Sequence, residues 1–204
     1  MTIRAIVFDI GNVLEINLET GWKEKWGKIL KIDLGEVFKR LVSMGKDGSL
    51  GTCTEQEWIQ SLREITGMSQ TQTDEFMNDL WHWYLGILNE ELAIFFADLR
   101  PCYQTAILSN SFVGARNKEQ EKYHFHKITD HIIYSHEVGL AKPDKRIYEL
   151  ACKRLNAQPE EIIFVDDDEA NITAALEHGI HGILYKNNNQ VIADIQACIT
   201  ENTP

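Results

Sequence analysis

Two short apolar runs, far apart in the chain, each end in aspartate, and no other feature narrows the possible folds as much. Ala5-Ile6-Val7-Phe8 leads into Asp9, and Ile162-Ile163-Phe164-Val165 leads into Asp166-Asp167-Asp168. Apolar runs this short, without polar alternation, suit strands covered on both faces. In open α/β sheets the chemistry collects beyond the carboxyl ends of the strands. Should these two ends converge on one edge of a parallel sheet, their carboxylates form a cluster of hard oxygen ligands fit for Mg²⁺. Such a cluster is the outline of a phosphoryl-transfer site.

Strand-like runs alternate with helical patterns over most of the 204 residues. Strands are predicted at Ile3–Phe8, Gln104–Leu108, Ile132–Tyr134, Ile162–Val165 and Gly182–Tyr185. Helices are predicted at Asp144–Leu155 and Glu169–His178, the second closed by Gly179 as a C-terminal cap. This alternation predicts an α/β fold with a parallel sheet covered on both faces.

The stretch from Glu15 to Gly86 breaks the rhythm and holds no convincing strand. Val37, Phe38, Leu41 and Val42 repeat at helical spacing, as do Trp58, Ile59, Leu62 and Ile65, introduced by a Thr54/Glu57 capping-box pair. Phe76, Leu80, Trp83 and Ile87 make a third such face. The expectation is an all-helical unit, 15–86, inserted after the first strand and lying over the active edge of a core formed by 1–14 plus 87–204. All five tryptophans, Trp22, Trp26, Trp58, Trp81 and Trp83, fall in this unit. A small unit needs large side chains for a core of its own, which leaves one or two of them to face the cleft. The polar tail beyond Ile199 is expected to fray.

A formal net charge of −11 argues against a nucleic-acid partner. It leaves room for a small phosphorylated ligand, since metal and lysine make a local positive site. No apolar stretch reaches the roughly 18–20 residues of a membrane span, and the first residues lack the apolar segment of a secretory signal. A cytoplasmic location without membrane contact is expected. Cys53, Cys102, Cys152 and Cys198 are scattered, with no C-x-x-C and no histidine in ligand spacing. That predicts free thiols rather than zinc or disulfides.

Four pieces with chemical potential follow one another along the chain. Asp9 comes first, then Ser109-Asn110 after the apolar Ala106-Ile107-Leu108, then Lys142 in Gly139-Leu140-Ala141-Lys142-Pro143-Asp144, then Asp166-Asp167-Asp168 with Asn171. A carboxylate can attack phosphorus and hold the group as an aspartyl phosphate, dividing a hard hydrolysis into two steps. Two anions must approach each other, so a divalent cation is needed to offset their repulsion. A hydroxyl, backbone N–H groups and an ammonium can grip the equatorial oxygens. Each piece alone has an ordinary explanation as a cap, a turn or a helix start. Their conjunction in this order does not.

The chain resembles the haloacid dehalogenase (HAD)-like hydrolase superfamily, in the subgroup with a helical cap after the first strand. Phe8–Leu14 (FDIGNVL) resembles motif one, Ile107–Ser111 (ILSNS) motif two, Gly139–Tyr148 (GLAKPDKRIY) motif three and Phe164–Asn171 (FVDDDEAN) motif four. The resemblance covers essentially the whole chain. It implies a Rossmann-like three-layer core, a Mg²⁺ cofactor and an aspartyl-phosphate mechanism on a small phosphorylated metabolite, with sugar phosphates favoured. Carried over by position, Asp9 is nucleophile and metal ligand, and the carbonyl of Gly11 is a second ligand. Ser109 and Asn110 bind phosphate, and Lys142 neutralises phosphate and nucleophile. Asp167 is favoured as the inner-sphere ligand, Asp166 acts directly or through water, and Asp168 faces solvent. Asn171 supports the ligands or the fold. One site fits within one chain, so a monomer suffices.

The match departs at Gly11, where most phosphatases of the superfamily carry a second aspartate that protonates the leaving group. The D-x-G-N-V signature is shared with bacterial phosphatases resembling α-D-glucose-1-phosphatase. The departure keeps other readings open: a haloacid dehalogenase, which needs no Mg²⁺; a phosphonatase, which would draw a Schiff-base lysine from Lys23, Lys25 or Lys28; and a protein that binds a phosphorylated ligand or partner without turning it over. His124, His126, His131 and His136 share no face and predict no metal site. Arg116 and Lys118 are read as surface charge.

Overall fold

The chain, described over residues 2–202 in a computed structural model, begins with β1 (Ala5–Phe8) and β2 (Glu15–Ile16). Four helices follow: α1 (Trp22–Leu30), α2 (Leu34–Ser43), α3 (Glu55–Thr66) and α4 (Gln70–Leu85). Then come β3 (Ile87–Leu88), α5 (Glu90–Asp98), β4 (Gln104–Ser109), α6 (Ala115–Tyr123), β5 (His131–Tyr134) and the short α7 (Ser135–Val138). The chain closes with α8 (Lys145–Leu155), β6 (Ile162–Asp166), α9 (Glu169–Glu177), β7 (His181–Leu184) and α10 (Asn188–Glu201).

Five strands make one parallel sheet in the order β5-β4-β1-β6-β7. Because side chains alternate along a strand, β1 serves two layers at once. Ile6 and Phe8 pack with Leu92 and Phe96 of α5 and Val191 and Ile195 of α10. Ala5 and Val7 pack on the other side with Ile147 and Ala151 of α8 and Ala175 of α9. Phe8 stacks on Phe96 with ring centroids 4.5 Å apart. Fully burying such a side chain contributes about 1.5–3 kcal/mol. The result is the expected three-layer α/β core.

The four helices α1–α4 surround an apolar cluster of their own, with Trp26, Leu41, Trp58, Leu62, Phe76 and Trp81 among its members. Thr54 and Glu57 form the expected capping box at the start of α3, and Ser69 with Gln72 repeats it on α4. Trp26 donates its indole N–H to Asp79, which also pairs with Lys25.

Three expectations need correction. The stretch beginning at Glu15 opens with a strand, since β2 pairs antiparallel with β3 as Glu15 opposite Leu88 and Ile16 opposite Ile87. Ile87 therefore belongs to this pair and not to the face of α4, which stops at Leu85 before Gly86. The tail beyond Ile199 does not fray at once, because α10 continues to Glu201; Thr203 and Pro204 lie outside the described residues. Gly179 takes the positive φ of 91° expected after α9, which itself ends at Glu177. All four cysteines are free. No helix among the described residues is long and apolar enough to cross a membrane.

Candidate active site

Sheet register alone aligns the two acidic strand ends. Phe8 pairs with Val165 and with Ile107, so Asp9 stands level with Asp166 on one side and just short of Ser109 on the other. The Asp9 amide donates to the Val165 carbonyl at 2.9 Å, which carries the ladder one residue past the strand. Asp9, Asp166 and Asp167 each offer a carboxylate oxygen within 4.8 Å of the others. Among the described residues this is the one group of three His, Cys, Asp or Glu side chains close enough to hold a metal ion. The donors are all hard oxygens, the set that suits Mg²⁺ and not zinc.

Lys142 sits between the two buried carboxylates. Its Nζ lies 2.8 Å from Asp9 Oδ1 and 2.6 Å from Asp166 Oδ2, with its side chain wholly buried. The loop that brings it there includes a cis Lys142–Pro143 peptide and is tied to the end of β4 by Asn110. The Asn110 carboxamide accepts from the Lys142 amide and donates to the Lys142 carbonyl, both at 2.8 Å. Asn110 therefore holds the Lys142 loop in place with its side chain. Ser109 is buried at the end of β4.

Asp166 has both oxygens engaged inside the protein. Oδ1 accepts from the Asp168 amide at 2.8 Å, Oδ2 accepts from Lys142, and Asn171 Nδ2 reaches both at 3.1 and 3.2 Å. Asp167 is more exposed, and its Oδ2 accepts from Asn12 Nδ2 at 3.1 Å. Asp168 caps α9 through the Ala170 amide. Gly11 lies in the turn that follows Asp9, where the Leu14 and Glu15 amides both close on the Ile10 carbonyl at 2.8 Å. A Cβ added at Gly11 would meet nothing within 4 Å.

Burial raises the pKa of Asp9 to about 7, against the pull of Lys142 and with a further push from Asp166. Burial also penalises the Lys142 ammonium, but Asp9 and Asp166 outweigh it and hold its pKa above the ordinary lysine value. Asp167 is likewise raised by burial, with the Asn12 hydrogen bond opposing.

The remaining sequence candidates fall where surface or structural roles would put them. Arg116 makes a two-pronged ion pair with Glu137, and Lys118 lies over the Trp81 ring near Glu55. His136 Nδ1 meets the Ser111 hydroxyl at 2.7 Å, and His124 and His126 pack ring to ring. Lys25 is paired with Asp79, whereas Lys23 lies over the Trp22 and Trp83 rings.

A sequence model described as haloacid dehalogenase-like hydrolase matches residues 3–179. The chain belongs to this family. Among its relatives is bifunctional epoxide hydrolase 2 of Sus scrofa, 27% identical over 96% of this chain, which spans only 39% of that protein's length. D-ribitol-5-phosphate phosphatase of Bacteroides thetaiotaomicron is 25% identical, with 87% of this chain and 89% of the relative aligned. A HAD family enzyme of Bacteroides thetaiotaomicron, solved in complex with magnesium and inorganic phosphate, superposes with a TM-score of 0.75 at 24% identity, covering 90% of this chain and 94% of that one. At that identity the likeness is one of fold.

Proposed function

We infer that this HAD-like hydrolase is a Mg²⁺-dependent phosphatase acting on a small phosphorylated metabolite. The observation that carries the reading is the trio Asp9, Asp166 and Asp167, with oxygens within 4.8 Å of one another. A haloacid dehalogenase needs no metal ion and would leave the trio without one to hold. Asp9, Asp167 and the Gly11 carbonyl are the groups proposed to hold the ion, with Asp166 direct or through water. When bound, Mg²⁺ offsets the repulsion between the Asp9 carboxylate and the phosphate oxygens.

Asp9 then attacks phosphorus, the bond to the leaving oxygen breaks, and the phosphoryl group rests on the Asp9 carboxylate. Water attacks the same phosphorus in a second step, the bond to Asp9 breaks, and inorganic phosphate leaves. Lys142, held between Asp9 and Asp166, keeps the nucleophile aimed and supplies positive charge to the equatorial oxygens, joined by the Ser109 hydroxyl and the Asn110 backbone amide. Gly11 brings no proton to the leaving oxygen. Such assistance is worth about 10²–10⁴-fold, so the native turnover is expected to be slow.

The unit 15–86 is proposed to act as a cap over the carboxyl edge of the sheet, with β2 and β3 as its two connections. A relative named as a D-ribitol-5-phosphate phosphatase and a family member solved with magnesium and phosphate support phosphomonoester hydrolysis. The test is phosphate release from a panel of monoesters with Mg²⁺ and with excess EDTA. Release that needs Mg²⁺ supports the reading; release that survives EDTA, or none from any ester, contradicts it.

A further inference from the structure

A cavity of about 320 Å³ opens beside the end of β4, bounded by Asn110 and Ser111 on the sheet side and by α1, α2, α3 and α4 on the other. Asn110 follows Ser109 directly and clasps the Lys142 backbone, so the cavity begins next to the proposed phosphate position. Its wall is a continuous run of aromatic rings. Trp83 meets Trp22 at 5.8 Å between centroids, Trp22 meets Phe38 at 6.3 Å, Phe38 meets Trp58 at 6.0 Å, and Trp58 meets Phe112 at 4.9 Å. Phe112 comes this close because Gly48, opposite it, has no Cβ; one built there would lie 2.2 Å from the ring. Phe38, Trp83 and Phe112 remain only partly buried and keep ring surface uncovered.

Apart from the Trp22 indole N–H, which is buried without a partner, most polar side chains of the same wall are engaged by the protein itself. Asn110 pairs with both the backbone N–H and the C=O of Lys142, and the Ser111 hydroxyl meets His136. Asp47 Oδ1 accepts from the Ser49 amide and hydroxyl and from the Leu50 amide. Lys46 stands 3.8 Å from Glu57, and Lys23 lies 5.0 Å above the Trp83 ring. A polyhydroxylated leaving group wants unpaired amides and carboxylates around it. This wall offers ring faces instead.

We propose that the phosphomonoester taken by this site carries an apolar leaving group, an alkyl or arylalkyl chain, seated on Trp22, Phe38, Trp58, Trp83 and Phe112. The inference rests on the phosphatase reading and departs from the sugar phosphate that the sequence resemblance favours. At about 30 Å³ per water-sized group, the cavity takes roughly ten such groups, enough for a phenylethyl or octyl chain. Removing one methylene from water tightens binding about fourfold, so chain length is the variable to read.

The experiment has two arms. Calorimetric titration of Asp9→Asn with Mg²⁺ present compares ethyl, butyl and hexyl phosphate with ribose 5-phosphate and inorganic phosphate. Steady-state hydrolysis by the native chain compares the same esters, whose alkoxide leaving groups are of similar basicity. The expected result is affinity rising about threefold or more per methylene, with hexyl phosphate at least tenfold tighter than ribose 5-phosphate and ahead of it in kcat/KM. Phe38→Ser should flatten the series. Val42→Asp, on the cavity wall but half exposed, puts a charge there without opening the core. It should lower the hexyl-to-inorganic phosphate affinity ratio at least tenfold. A flat series, or ribose 5-phosphate bound as tightly as hexyl phosphate, overturns the proposal whether or not either ester is hydrolysed. Failure of the native chain to hydrolyse any ester would instead strike the phosphatase reading, while the titration still reports on the cavity.

Discussion

Asp166 and Asp167 are chemically alike and adjacent, yet the fold separates their duties. Asp166 is fully buried and ringed by the Asp168 amide, Lys142 and Asn171, whereas Asp167 is exposed and accepts from the Asn12 side chain. Positioning Lys142 therefore suits Asp166, and an inner-sphere place on a cation suits Asp167. Asp167→Asn is expected to raise the Mg²⁺ concentration needed for half-maximal activity by tenfold or more. Asn171→Ala should lower kcat by about tenfold with a smaller effect on Mg²⁺ affinity; Mg²⁺ titration of both variants separates the two. Gly11 supplies the opposite kind of test. Because a Cβ there meets no atom within 4 Å, Gly11→Asp can introduce a proton donor without a clash at Cβ, and kcat is expected to rise tenfold or more. The placement of Asp9, Ser109 and Asp166 at strand ends was legible in the sequence from the apolar runs before them, whereas Lys142, in the loop between α7 and α8, had only its place in the order of the four pieces to mark it. The part played by Asn12 was not legible, since its partner lies 155 residues away, and the double clasp of Asn110 on Lys142 spans 32 residues.

At the scale of elements, sequence patterning worked for the buried strands and for the amphipathic helices α2 and α3, and failed where elements are short. The five sheet strands carry near-continuous apolar runs because both of their faces are covered. β2 and β3 have two residues each, too few for any periodicity, and their pairing joins residues far apart in the chain, Glu15 with Leu88 and Ile16 with Ile87. Gly86 sits at the end of this pair with φ of 48°, and a Cβ there would lie 2.1 Å from the Ile16 carbonyl oxygen. The Gly86 carbonyl also accepts from Lys122 and Tyr123 of α6. Gly86→Ala is expected to lower Tm by several degrees, through strain at a connection proposed to join core and cap. The capping box of α3 gives a milder test. Thr54→Ala should cost about 1 kcal/mol in a denaturant titration.

Across the whole molecule, the least expected feature is a pair of acids buried beneath the junction of helical unit and sheet. Burial, then the charge of Glu119, raises the Glu15 pKa from 4.5 to about 10; burial raises Glu119 to about 7 against hydrogen bonds from Tyr134 and Tyr84. Lys122 and Asp9 are the other charges acting on Glu15. Both folded values are raised, so the native state keeps protons that the unfolded chain releases above about 4.5. Stability from these groups is full below that pH and falls as pH climbs through 7 toward 10. Thermal melts between pH 5 and 9 should therefore show declining Tm, and Glu15→Gln, which cannot ionise, should flatten the decline. The net charge of −11 gave no hint of this, because composition does not say which acids the fold will bury. The cofactor reading has its own whole-molecule signature: Mg²⁺ should raise Tm and EDTA abolish the rise, since three carboxylates within 4.8 Å repel one another without a cation.

The proposed function turns on a phosphoryl group resting on Asp9, and that state can be caught. The native chain, mixed with a hydrolysed monoester and Mg²⁺, is quenched in acid within one turnover and reduced with borodeuteride, which converts a phosphorylated aspartate to deuterated homoserine. Peptide mapping is expected to find that homoserine at position 9, dependent on Mg²⁺ and absent after the ester is exhausted. An ester hydrolysed at full rate with Asp9 unmodified, or the label at any other carboxylate, would contradict the assignment of Asp9 as nucleophile.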